Sequence, residues 1–204
     1  MPRKQDSLLE RATNESDRLI ARFNLQRPDL VAEIRTAFAR ARSAGLGGKR
    51  AETVVAAIVY VVARNNNSPI TLRELAKESS CTIRELKVML QFLYKADIKH
   101  AHYNDPDEYI PRYCYELGVD DEILTTAEQI ARNYKTIQGN PAVTASAAIY
   151  LAARLHSKRI TQHDISKVSC VSNMAIRHRY QHIITQPDFR KFDEHNVFYW
   201  IDNV

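Results

Sequence analysis

The sequence predicts an all-α protein made of two tandem five-helix repeats, the second containing a helix-turn-helix, and three observations carry that expectation. Apolar residues recur at helical spacing along most of the chain, no window shows the sustained alternation of a strand, and only 5 Gly and 7 Pro interrupt 204 residues. Shifting the chain by 90 residues lays Arg50–Leu93 on Asn140–Ile183 without a gap. That shift matches Ala57 with Ala147, Tyr60 with Tyr150, Ala63-Arg64 with Ala153-Arg154, Thr71 with Thr161, Lys77 with Lys167, Ser79 with Ser169 and Gln91 with Gln181. A shared period of this length marks a duplicated folding unit. Finally, ITQHDISKVSCVSNMAIRHRYQHII, from Ile160 to Ile184, has the form of two short helices joined by a turn.

The helices are expected in order over residues 15–24, 28–44, 51–66, 71–78 and 82–95, behind an N-terminal tail of residues 1–14. Gly45, Gly47 and Gly48 end the second of these, and Asn65-Asn66-Asn67 ends the third. The third helix, TVVAAIVYVVAR, is apolar nearly all round and rich in small residues, which suits a central helix wrapped by its neighbours. The boundary falls between Lys99 and Asn104, giving repeats at 15–103 and 104–185. The second set runs over 107–117, 120–137, 142–157, 161–168 and 172–184, with Asp105-Pro106 opening it and VTASAAIYLAAR as its central helix. An aromatic tail, 186–204, closes the chain with Phe189, Phe192, Phe198, Tyr199 and Trp200; it either packs on the second repeat or serves as a partner-binding peptide.

Composition narrows the function classes. A net charge of +5 and a pI near 9.1 suit a polyanionic partner. The longest apolar runs, Val54–Ala63 and Ala145–Ala153, are far shorter than the ~20 residues that cross a bilayer, so no membrane role is expected. Cys81, Cys114 and Cys170 are odd in number and far apart, which gives neither a disulfide framework nor a zinc site, and they are read as reduced structural thiols. His163, His178 and His182 come with no Cys or carboxylate ligand set, so no metal and no cofactor is expected. There is no Gly-rich phosphate loop, nucleophile elbow or His-Glu-x-x-His motif, and the cluster Asp120, Asp121, Glu122 is explained as charge at a helix start; an enzyme is not expected.

The helix-turn-helix is where the two copies diverge. Thr161 can cap a short helix carrying Ile165 and Val168, Val171 sits in the turn, and Ser172 can cap a second helix in which Ile176, Tyr180, Ile183 and Ile184 form one apolar face. Asn173, Met174, Arg177, His178 and Gln181 are left outward, residue types that reach base edges or phosphates. Asn66–Phe92 holds four basic residues against three acidic, whereas His156–His182 holds Lys158, Arg159, Lys167, Arg177 and Arg179 against Asp164 alone. Only the second copy looks built for a polyanion. Met174 and Arg177 are expected to face bases together, Lys167 and Arg159 to meet phosphates, and Arg179 either to reach a phosphate or to pair with Asp164. Lys49 and Arg50, at the start of the first central helix, are a further candidate phosphate contact. Tyr60–Arg64 and Tyr150–Arg154 read as structural.

The central helices, the segment DPDEYIPRYCYELGV from Asp105 to Val119 and above all VSNMAIRHRY from Val171 to Tyr180 resemble the two cyclin-like repeats of transcription factor B, the archaeal counterpart of eukaryotic transcription factor IIB. The resemblance covers about residues 15–185 and is strongest in the second repeat. It implies a general initiation factor core, two cyclin folds that clasp the TATA-box-binding protein on promoter DNA, with the second repeat's helix-turn-helix reading the element upstream of the TATA box. Arg177 stands at the family's base-contacting position; Ser172 and Asn173 are read from the helix itself as further DNA contacts. Such a factor works in the cytoplasm at the nucleoid if archaeal, in the nucleus if eukaryotic. The departures are specific. No ligand set stands here for the family's zinc ribbon, which with its linker reaches RNA polymerase, so the chain is either the core of a longer factor or a ribbonless paralogue acting as a regulator. Met174 replaces a smaller branched residue, and Gln138-Gly139-Asn140-Pro141 lacks a basic residue common in that loop. A cyclin-like protein-interaction scaffold that binds no DNA is the rival reading, because a fold does not fix a function.

Overall fold

In each half of the chain a helix with almost no polar surface lies at the centre of its own core. The computed structural model describes residues 3–46, 49–99, 105–134, 139–186 and 189, with side chains from residue 10 onward. Contacts divide the chain into two units, Met1–Tyr103 and Asn104–Val204, and the described residues contain helices and turns but no strand.

The first unit is α1 (Arg3–Arg22), α2 (Pro28–Ser43), α3 (Ala51–Asn65), α4 (Leu72–Glu78) and α5 (Ile83–Lys95). Every residue of α3 from Thr53 to Ala63 is buried, and Leu19, Leu30, Ile34, Leu75, Leu86 and Leu93 close around it from the other four helices. Alanine and valine make this packing possible, since short side chains let neighbours approach on every side. Helix α1 begins much earlier than the expected 15, so residues 3–14 are helix and not tail: RKQDSLLERATN contains no Gly or Pro to stop it, and Ala12 packs into the core. Helix α2 gives way to Gly45 at φ +86, and α3 to Asn67 at φ +52, two left-handed residues that Gly and Asn adopt most readily. Gly47, Gly48 and the inter-repeat residues 100–104 lie outside the described residues.

The second unit opens with a 3₁₀ turn, Pro106–Tyr109, which feeds α6 (Ile110–Leu117); the single helix expected over 107–117 is thus two pieces, with Pro111 at the start of α6, where its missing N–H costs nothing. There follow α7 (Asp121–Asn133), α8 (Pro141–Leu155), α9 (Gln162–Ser169) and α10 (Asn173–Ile184). Helix α7 ends at Asn133, short of the expected 137, and 135–138 lie outside the described residues. Helix α8 repeats the logic of α3: Ala145, Ala147, Ala148, Ile149, Leu151 and Ala152 are at most 1% exposed, packed against Tyr109, Tyr113, Ile123, Ile130, Ile165, Ile176 and Ile183. Two devices recur 90 residues apart, as the repeat requires. Arg64 donates to the Tyr60 hydroxyl at 2.9 Å and Arg154 to that of Tyr150 at 3.3 Å. Thr71 and Thr161 each close a reciprocal capping box, with Glu74 and Asp164 respectively. Both pairs of devices are structural, and the chain is an all-α tandem of cyclin-like repeats.

Candidate nucleic-acid interface

Helices α9 and α10 form the helix-turn-helix. The Thr161 hydroxyl accepts from the Asp164 amide at 3.1 Å and Asp164 accepts from the Thr161 amide at 3.0 Å, so both ends of the α9 start are satisfied. The Thr161 hydroxyl also donates to the Asp164 carboxylate at 2.6 Å, and this bond first, with the one from the Thr161 amide second, holds the carboxyl below the usual carboxylate range. Helix α9 stops at Cys170, whose backbone is left-handed at φ +54, and buried Val171 carries the chain into the Ser172 cap, whose hydroxyl accepts from the Ala175 amide at 3.2 Å. Ile176, Tyr180 and Ile183 then anchor α10 to the core at 0%, 7% and 0% exposure.

That anchoring decides what faces out. Ser172, Asn173, Met174, Arg177, His178 and Gln181 are all exposed, Met174 at 70%, a large apolar side chain held in water at the start of a cationic helix. Lys167 and Arg159 are exposed on and before α9. Arg159 and Arg177 form no ion pair among the described residues. Lys158 is different: its Nζ meets Asp120 at 2.5 Å, which raises the ammonium pKa chiefly through that hydrogen bond and removes one of the five basic residues from the outward charge.

Comparison with the first copy shows a change the residue charges alone conceal. The α5 start is closed by a capping box between Thr82 and Glu85, and the hydrogen bonds from Thr82 hold the Glu85 carboxyl below its ordinary pKa. The position 90 residues on is Ala175. Helix α10 keeps the hydroxyl cap and lacks the carboxylate, so the positive end of its dipole is left uncompensated beside Asn173 and Met174. This signal was available in the aligned repeats, and counting charges over the whole segment missed it.

Other candidates stand elsewhere. Arg179 is half-buried and does not pair with Asp164, which Thr161 already occupies; its Cζ lies 5.7 Å over the Tyr134 ring. Lys49 rests over Phe92, and Arg50 donates to the Ser80 hydroxyl at 2.9 Å and meets Glu52 at 3.6 Å, so both are engaged within the first unit. His182 joins no metal cluster: its Nδ1 lies 2.5 Å from the Tyr134 hydroxyl, and no group of three or more His, Cys, Asp or Glu able to hold a metal occurs among the described residues. Of the tail aromatics, Phe189 is buried edge-on against Tyr134, and Phe192, Phe198, Tyr199 and Trp200 lie outside the described residues. None of the described helices is long and apolar enough to cross a membrane.

The family model for the transcription factor TFIIB repeat matches residues 99–186, the stretch that holds α6 to α10. Transcription initiation factor IIB 2 of Haloferax volcanii is 33% identical over 189 residues, 88% of this chain and 55% of that protein. The chain belongs to the transcription factor IIB family. Transcription initiation factor IIB of Saccharolobus shibatae is 31% identical over 183 residues, 87% of this chain and 60% of its own length, and its namesake of Methanocaldococcus jannaschii is 35% identical over 146 residues, 69% and 22%. The chain thus spans between a half and two thirds of the first two relatives. The family is one of initiation factors and not an enzyme class, and the exposed basic helix-turn-helix lies inside the stretch matched by the TFIIB repeat.

Proposed function

We propose that this chain is the promoter-binding core of a transcription initiation factor, joining TATA-box-binding protein on promoter DNA and reading the element upstream of the TATA box with α10. Met174 and Arg177 face base edges. Arg177 offers a planar fork to guanine, and Met174 an apolar contact to a thymine methyl. Ser172, Asn173, His178, Gln181, Lys167 and Arg159 run along the DNA backbone. The observation that carries this reading is the α10 surface, where every outward residue type suits DNA and the helix start has no carboxylate.

Fluorescence anisotropy tests it. Affinity for promoter DNA is expected to be weak alone and strengthened by TATA-box-binding protein, because one reading helix with few outward cations is too small a footprint for tight independent binding. Equal affinity with and without that protein counts against the assignment, and no DNA binding in either case favours the scaffold. Polymerase recruitment is separable. Reconstituted transcription with these 204 residues as the sole B-type factor is expected to fail, since they hold no ligand set for a zinc ribbon, and full activity overturns that expectation.

A further inference from the structure

In each unit the loop that opens the central helix is tied to that unit's last helix or its surroundings by a cation resting on an aromatic ring, but the cation comes from opposite sides. In the first unit Lys49 of the loop before α3 places its Nζ 4.7 Å from the centroid of Phe92 on α5. Ninety residues on, the loop position is Gly139 and the helix position His182. There the cation belongs to the helix: Arg179 of α10 lies over Tyr134 at the end of α7, and a Cβ on Gly139 would fall 2.2 Å from its Nη2. The guanidinium fills the space that the glycine leaves. Tyr134 is itself fixed, 2% exposed, with its hydroxyl at His182 and its ring edge-on to Phe189. The α5 residue matching Arg179 is Met89, 5% exposed in the first core, so this helix position faces inward in both copies.

We propose that Arg179 is a positioning residue for base reading, acting through its seat on Tyr134 and Gly139 and not through contact with DNA. The proposal rests on α10 being the reading helix. Residues 177 and 179 are about 200° apart around a helix, so a side chain clasped at 179 holds Arg177 outward. Ile176, Tyr180 and Ile183 fix α10 along one apolar seam only, and a planar guanidinium clasped between ring and loop resists rotation about that seam.

The test compares selection from a randomised upstream element, salt dependence of binding and thermal stability in the intact chain with TATA-box-binding protein. Arg179→Ala is expected to relax base preference by roughly threefold to tenfold, a coupling typical of groups in contact, with an unchanged salt slope. Gly139→Ala alters no charge and displaces the guanidinium, and should relax preference likewise; its φ of +155 also strains an alanine, which is why both variants are needed. The double variant should be no worse than Arg179→Ala. Weaker binding to all sequences with a salt slope smaller by about one would make Arg179 a phosphate contact and overturn the proposal. Lower stability with selection intact would reduce it to packing and overturn it too. Arg177→Ala runs alongside: if it leaves selection unchanged, the reading of α10 itself has failed.

Discussion

Arg177 and Cys114 mark the two extremes of residue environment in the second unit. Arg177 is exposed on a surface where opposing charge is scarce, so its guanidinium is free to exchange water for a base edge. Arg177→Ala should cost roughly 1–3 kcal/mol on the preferred element and flatten discrimination there, the scale of one lost bidentate contact. Lys167→Ala and Arg159→Ala should weaken all sequences alike and each reduce the salt slope by about one. Competition binding against randomised elements separates the two kinds of loss. Cys114, 1% exposed on the buried face of α6, has its thiol pushed up to about 12, burial being the larger cause and the Glu128 charge the lesser. It should stay unalkylated by iodoacetamide at pH 8 in the folded chain and react on unfolding, as peptide mass mapping would show; modification at the native rate of a free thiol would mean that the α6 packing opens.

At the scale of elements, α10 differs from α5 mainly in how it begins. Both keep a hydroxyl cap, and only α5 adds a carboxylate. Ala175→Glu, which rebuilds the Thr82–Glu85 arrangement in the second copy, should hold or raise the melting temperature and weaken binding to every DNA sequence severalfold, because a fixed negative charge then faces phosphate at the helix start. Improved or unaltered affinity would show that the open helix start has no part in binding. Thr161→Ala should destabilise by about 1 kcal/mol through loss of the α9 cap. The Asp164 carboxyl is depressed in the folded state, so its share of this cap is present above the ordinary carboxylate pKa and is lost as pH falls through the lower folded value. Acid titration of helix content should therefore show a smaller low-pH loss in Asp164→Asn than in the parent.

Taken whole, each unit carries its own core around its own central helix, and among the described residues from His156 to His182 Lys158 is paired and Arg179 turned inward. Arg159, Lys167 and Arg177 are the other exposed cations of that segment. If Arg159 and Lys167 alone neutralise phosphates while Arg177 reads a base, log affinity against log salt should fall with a slope on the order of −2. A slope several units steeper would require phosphate contacts from elsewhere, Lys49 and Arg50 being the first to test since both would have to leave their present partners.

The sequence by itself determined the all-α class, the repeat, the central helices and the outward face of α10. These follow from local periodicity and capping: Ile176, Tyr180 and Ile183 on one side dictate Met174, Arg177, His178 and Gln181 on the other. Its misreadings were of two kinds. Helix ends depend on whether neighbouring packing rewards another turn, so Ala12 in the core drew α1 back to Arg3, and Pro111 broke the expected first helix of the second unit into a turn and α6. Charge partners depend on residues distant along the chain. Lys158 found Asp120, Arg50 found Ser80, and Arg179, counted with the surface cations, found Tyr134 and Gly139. Only the tertiary structure decides such pairings, because a long cationic side chain settles where an anion, a ring face or a missing Cβ lies within its reach, and folding alone brings those groups together.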